Sequence, residues 1–89
     1  MERVRKHIVF RGDVQGVGFR YRMYYAARNN GVSGWVRNEY DGSVEAVLEG
    51  EESAIDRTVA DVNAGRFVTI TDMEIKRIPV HNDHSFEIR

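Results

Sequence analysis

The sequence predicts an α+β fold, a two-layer sandwich in which two helices cover one face of a mixed, mainly antiparallel sheet. Three observations predict it. Short β-rich runs alternate with two segments of helical periodicity in the order β-α-β-β-α-β, and a short terminal strand follows. Each helical segment carries a single apolar stripe, so each needs a sheet face to cover. The chain has 89 residues, 42% of them hydrophobic, which suffices for one core and leaves no room for a second. With right-handed crossovers, that order gives the ferredoxin-like arrangement.

The elements follow from local patterns. His7-Ile8-Val9-Phe10-Arg11 is β-rich and ends at Gly12, which predicts a strand near residues 4–12. Phe19, Met23, Ala26 and Ala27 recur at helical spacing and give the first helix one apolar face. Tyr21, Tyr24 and Tyr25 flank that face and are expected to pack with their hydroxyls outward. Asn29-Asn30-Gly31 stops the helix, with Gly31 suited to the left-handed position after its last turn. Val32 to Glu49 reads as a hairpin around Asp41-Gly42, a two-residue turn signal. Its return strand turns Val44, Ala46 and Leu48 inward and Glu45 and Glu49 outward, with Val47 on the outward set.

The second helix opens at Glu51-Glu52-Ser53, where acidic residues suit the macrodipole. Its stripe is Ile55, Val59 and Val62, and Gly65 ends it. Residues 67–78 are β-rich, but Val68 and Ile70 fall out of phase with Met73 and Ile75. That slip predicts a bulge or a separate lead-in near Thr71-Asp72. Pro79 and the His81-Asn82-Asp83-His84 loop follow, and Phe86 and Ile88 alternate in the last strand.

Charge is balanced overall, at −1, but unevenly distributed. Arg3, Arg5, Lys6, Arg11, Arg20, Arg22, Arg28 and Arg37 face only Glu2 and Asp13 within the first 37 residues. Between residues 38 and 63, Glu39, Asp41, Glu45, Glu49, Glu51, Glu52, Asp56 and Asp61 stand against Arg57. Two accounts combine: neighbouring elements neutralise one another, and the remainder forms a positive field that draws in anions. There are no cysteines, which excludes disulfides and a thiol nucleophile. There is no apolar run long enough to span a bilayer, and Met1-Glu2-Arg3-Val4-Arg5-Lys6 leads into a strand rather than a secretory segment. The expected compartment is the cytoplasm.

Within this frame the run Gly12-Asp13-Val14-Gln15-Gly16-Val17-Gly18-Phe19-Arg20 stands out. Gly16 and Gly18 permit positive φ and close backbone approach to a ligand. Successive N–H groups can then converge on one concavity beside a helix N-terminus. Arg20 adds a fork that matches phosphate or carboxylate. An ordinary strand-to-helix loop with a solvated first-turn arginine is the bland alternative. The run lacks the Gly-Lys-Ser/Thr of a Walker loop and the third glycine of a dinucleotide fingerprint. Arg20 and Arg22 stand against the macrodipole, a cost that a bound anion would offset.

A second constellation is Gly34-Trp35-Val36-Arg37-Asn38. Asn38 sits late in a β-rich run, where β-branched or aromatic residues are preferred. It can shape the turn, or its amide can both donate to and accept from a bound water.

Together, Val14-Gln15-Gly16-Val17-Gly18-Phe19-Arg20, Gly34-Trp35-Val36-Arg37-Asn38 and Asp41-Gly42-Ser43-Val44-Glu45 closely resemble the paired signatures of the acylphosphatase family. The spacing from Phe19 to Gly34, the length, the element order and the closing Phe86-Glu87-Ile88 fit as well. The resemblance implies that residues 1–89 form a single acylphosphatase-like domain. Two departures, Asn30 before Gly31-Val32 and Arg66 in place of a proline after Gly65, bear on the end of the first helix and the lead-in to the fourth strand.

The resemblance further implies hydrolysis of an acyl phosphate to a carboxylate and inorganic phosphate. Arg20 and Asn38 are the expected catalytic residues. Arg20 would bind the phosphoryl group with the N–H groups of Gln15, Gly16, Val17, Gly18, Phe19 and Arg20, and Asn38 would orient the attacking water. The carboxylate leaving group is weakly basic and needs no general acid, so positioning and electrostatics suffice. The expectation is a monomer acting on small-molecule acyl phosphates, with no metal, cofactor, covalent intermediate, nucleic acid or membrane.

Three rivals stand beside this reading. His81 and His84 with Asp83 could hold a metal, although His-x-x-His in a polar loop is usually turn chemistry. His7 alone on the first strand reads as structural or partly exposed. An RNA-recognition module shares the element order, but it stacks bases on central-strand aromatics that Val44 to Glu49 lacks. The third follows from the resemblance: a non-catalytic phosphate- or acyl-phosphate-binding module working inside a larger maturation enzyme, as acylphosphatase-like domains also occur.

Overall fold

The computed structural model describes residues 2–89; Met1, which opens the basic lead-in, lies outside them. The elements are β1 (Arg3–Asp13), α1 (Phe19–Asn29), β2 (Ser33–Asn38), β3 (Val44–Glu51), α2 (Glu52–Asn63), β4 (Thr69–Ile78) and β5 (Phe86–Ile88). They form a five-stranded sheet of order β4-β1-β3-β2-β5. Three strand pairs are antiparallel and β5 joins β2 in parallel. The predicted ferredoxin-like α+β sandwich with its short terminal strand is the observed fold.

The two apolar stripes explain the layering. On β1, Val4, Ile8 and Phe10 alternate with outward Arg5, His7 and Val9, and register carries the inward set to Ala46 and Val44 on β3. Phe19, Met23, Ala26 and Ala27 of α1 and Ala54, Ile55, Thr58 and Val62 of α2 close the core. Phe10 and Phe19 meet edge to face at 5.1 Å, so the start of α1 is pinned to the end of β1. Truncating a core side chain such as Ile55 to alanine would cost about 2–5 kcal/mol.

Gly31 takes φ 69° after the first helix, as its position predicts. Asn30, the first departure, is a junction there. Its Nδ2 donates to Ala26 O at 2.9 Å, Asp61 Oδ2 at 3.1 Å and Thr58 Oγ1 at 3.3 Å. An amide thus fastens the end of α1 to α2, where an apolar side chain could only pack. The slip in β4 is a bulge. Arg11 pairs with Asp72 but Gly12 with Ile70, leaving Thr71 as the extra residue.

Three local expectations are corrected. The hairpin connection is longer than Asp41-Gly42. Glu39 N–H donates to Ser43 O at 2.9 Å and Gly42 N–H to Glu39 O at 3.3 Å. Tyr40 and Asp41 therefore sit at the turn's centre, and the Asp41 carboxylate accepts from Ser43 N–H at 2.9 Å and its hydroxyl at 2.6 Å. Those bonds stabilise a wider turn than a two-residue hairpin. Second, Tyr21 and Tyr25 are 61% and 63% exposed, and only Tyr24 packs against the core, 6.4 Å from Phe86. Tyr24 stands one turn before buried Ala27, whereas Tyr21 and Tyr25 share the side turned away from Phe19 and Met23.

Third, Glu49 does not face solvent. It is fully buried. The chain must pass from β4 on one edge of the sheet to β5 on the other, and it does so against the face opposite the helices. Glu49 there accepts from His81 N–H at 2.8 Å and Asp83 N–H at 3.0 Å. Val47, on the same face, is covered as well, flanked in register by His7 and Trp35.

Candidate active site

The loop between β1 and α1 is hung between two buried apolar residues, Val14 and Phe19, while Gly16 and Gly18 are exposed. Gly16 and Gly18 have φ of 72° and 78°, the left-handed conformation that glycine adopts without strain. Gly18 occupies the N-cap position of α1, and no side chain caps the helix. The first N–H groups of α1 therefore lack an intrahelical acceptor and a capping oxygen. No acidic residue stands in the first turn. Uncapped donors and an unopposed dipole are the features that favour an anion at a helix N-terminus.

Arg20 is half-buried at the second helical position. Among the described residues it forms no salt bridge, unlike Arg3, Arg5, Lys6, Arg11 and Arg37, which pair with carboxylates. The uneven charge of the sequence thus resolves into local neutralisation plus three α1 arginines, Arg20, Arg22 and Arg28, that pair with no carboxylate among the described residues. Arg22 turns away, its Nε donating to Asp61 O at 2.9 Å.

Asn38 ends β2. It pairs with Val44, which in turn pairs with Phe10. Register therefore places Asn38 on the helix side of the sheet, with Phe10 and, through it, Phe19 at the start of α1. Asn38 Oδ1 is buried without any hydrogen-bond partner. A buried carbonyl oxygen left unpaired is costly, so Asn38 Oδ1 is free to accept a hydrogen bond.

The hairpin around Asn38 is held from both sides. Gln15 Nε2 donates to Glu39 O at 2.7 Å and to Ser43 O at 2.9 Å. On the far face Arg37 donates to Glu39 at 2.7 Å and to Glu45 at 2.5 Å, and His7 lies 2.5 Å from Glu45. The hydrogen bond with His7, and then that with Arg37, outweighs burial and lowers the Glu45 carboxyl to about 2. The Ser43 hydroxyl, and next its N–H, hold the Asp41 carboxyl below its ordinary range. His7, expected to be structural or partly exposed, is half-buried in this network.

The sequence named Gln15 only for its N–H. The use of its side chain was not legible, because the acceptors are main-chain carbonyls. A hollow of about 760 Å³ lies elsewhere, between Tyr24 and Arg28 of α1 and the Asn82–Phe86 segment. Among the described residues no cluster of three or more His, Asp or Glu could hold a metal ion, and Asp83 Oδ2 is taken by Arg5 Nη1 at 2.6 Å. No helix of the described residues is long and apolar enough to cross a membrane.

The described residues thus form a ferredoxin-like sandwich that carries an uncapped, glycine-built loop, an arginine without a salt bridge and an unpartnered amide oxygen. The family model described as Acylphosphatase matches residues 6–88, and the chain belongs to the acylphosphatase family of hydrolases. It is 46% identical over 77 residues to an acylphosphatase of Thermococcus kodakarensis, covering 85% of each chain. The acylphosphatase crystal structure from Bacillus subtilis superposes with a TM-score of 0.89 at 36% identity, covering 97% of this chain and 98% of that one. HypF of T. kodakarensis matches with a TM-score of 0.82 at 32% identity, over 97% of this chain but only 12% of HypF.

Proposed function

We propose that this protein hydrolyses small acyl phosphates by direct attack of water on phosphorus, with Arg20 and Asn38 as the catalytic residues. The observation that carries the reading is the pairing of an uncapped helix terminus and an unpaired Arg20 with the buried, partnerless Oδ1 of Asn38. The N–H groups of Gln15, Gly16, Val17, Gly18, Phe19 and Arg20 cradle the phosphoryl oxygens, and the Arg20 fork takes two of them. Asn38 Oδ1 accepts a hydrogen bond from a water and turns its lone pair toward phosphorus. The P–O bond to the acyl oxygen breaks as the water oxygen bonds to phosphorus. The carboxylate departs unprotonated, so the site needs neither a general acid nor a protein nucleophile. A phosphate oxygen takes the water's proton.

Turnover of acetyl phosphate in ¹⁸O-labelled water, with and without a chelator, tests this. Label in the phosphate and none in the acetate is the expected outcome, with the rate unchanged by chelation. Label in the acetate would mean attack at carbon. A pre-steady-state burst of acetate would mean a phosphorylated protein. The match to a small part of HypF favours one second reading, a phosphate-binding module of a larger protein. Phosphate binding without turnover would support it.

A further inference from the structure

Gln15 stands between the two halves of the proposed site, and its side chain belongs to neither. Its carboxamide spends both hydrogens on the hairpin, donating to Glu39 O at 2.7 Å and Ser43 O at 2.9 Å. These two residues close the mouth of the turn, since Glu39 N–H also donates to Ser43 O at 2.9 Å. Asn38 directly precedes Glu39 and pairs with Val44, which directly follows Ser43. Among the described residues, no other side chain of the loop from 14 to 18 hydrogen-bonds to the hairpin.

We propose that Gln15 is a positioning residue: its carboxamide clamps the anion loop to the mouth of the hairpin and so sets the gap between the phosphoryl group at Arg20 and the water at Asn38. The inference rests on the two-part site proposed above. Val14 and Phe19 anchor the two ends of the loop in the core, and between them, where Gly16 and Gly18 are exposed, the Gln15 hydrogen bonds are its side-chain tie to the hairpin. In-line attack tolerates little drift, because a misplacement of about 1 Å costs on the order of a hundredfold in rate. The task also explains the residue type. Two carbonyl oxygens demand two donors on one short planar group, which glutamine supplies and glutamate does not.

The test compares Gln15→Met and Gln15→Glu with the native chain in acetyl phosphate hydrolysis, with inorganic phosphate as competitive inhibitor. Gln15→Met should lower kcat by about tenfold or more and change the inhibition constant of phosphate by less than about twofold, since Arg20 and the loop N–H groups remain. In an Asn38→Ala background the same substitution should lower kcat by less than about twofold further, because the positioned water is already lost. A lower melting temperature with native kcat would overturn the proposal, as would an equal fold-loss in both backgrounds or a parallel rise in the phosphate constant. In Gln15→Glu a protonated carboxyl regains one donor, so its activity relative to native should rise as the pH falls from about 7 to about 5. A flat ratio overturns the clamp, and this arm decides if Gln15→Met does not fold. Native kcat in Asn38→Ala alone would sink the two-part site itself. A damaged Asn38→Ala beside an undamaged Gln15→Met would sink only the clamp.

Discussion

Arg5 Nη1 lies 3.1 Å from Glu49 Oε1, and both side chains are buried on the sheet face away from the helices. Arg3 reaches Glu49 Oε2 at 3.2 Å, and the N–H groups of His81 and Asp83 complete its shell. A carboxylate that a strand pattern assigns to solvent is thus the knot that ties the β4–β5 crossing to the sheet. Burial pushes the Glu49 carboxyl up, but the His81 N–H, then Arg5, Arg3 and the Asp83 N–H outweigh it and hold it at about 2.

Acid should expose this knot. Glu49 ionises at 4.5 ordinarily and at about 2 when folded, so the unfolded chain binds its proton first as pH falls. Its contribution, about 3 kcal/mol, is complete above about pH 4.5 and lost by about pH 2. Denaturant melts across that range should show native stability falling more steeply than that of Glu49→Gln. Parallel curves would remove Glu49 from the acid response. At neutral pH Glu49→Gln should already be less stable, by about 1–3 kcal/mol, since buried Arg5 then keeps only the part-exposed Asp83 carboxylate as a charge partner.

Arg20→Lys should lower kcat/KM by about a hundredfold or more and weaken inhibition by inorganic phosphate, because a lysine ammonium is a point charge that cannot copy the bidentate fork. Steady-state kinetics with phosphate as inhibitor decide it. Near-native activity in Arg20→Lys would reduce Arg20 to a background charge.

Asn38→Ala should lower kcat by about a hundredfold with little change in the phosphate inhibition constant, since it removes an acceptor for water and leaves the cradle intact. A rise in KM at constant kcat would recast Asn38 as a binding residue.

Gly18→Ala meets no atom within 4 Å at its Cβ, so space does not forbid it. Its φ of 78° does. The substitution should cost about 1–2 kcal/mol in stability, and any relaxation that relieves the strain turns the loop N–H groups off the anion. Phosphate affinity should therefore fall beside the melting temperature. Unchanged phosphate binding would show that the loop donors do not depend on this conformation.

The local pattern was enough for both helices and the inner strands, because one-sided burial forces apolar residues into periods of 3.6 and 2; at β4, where no residue is fully buried, it left a bulge and a separate lead-in near Thr71-Asp72 both open. The Arg20 anomaly was legible for a related reason: a basic first turn conflicts with the helix dipole unless an anion is bound. Asn38 was visible as a polar residue in a β-rich run. The length of the hairpin turn was not, since the Asp41 carboxylate chose it by bonding Ser43 rather than by any propensity of Asp-Gly.

By itself the sequence determined the order of elements, the core stripes and the two motifs that carry the family. Tertiary structure alone decided what lies on the other face of the sheet and how the motifs meet. Glu49 became buried because the chain must cross from one sheet edge to the other, a route that no local period encodes. Gln15 became a link between loop and hairpin because its partners are backbone carbonyls. Every residue carries such a carbonyl, so only folding can select the two that matter.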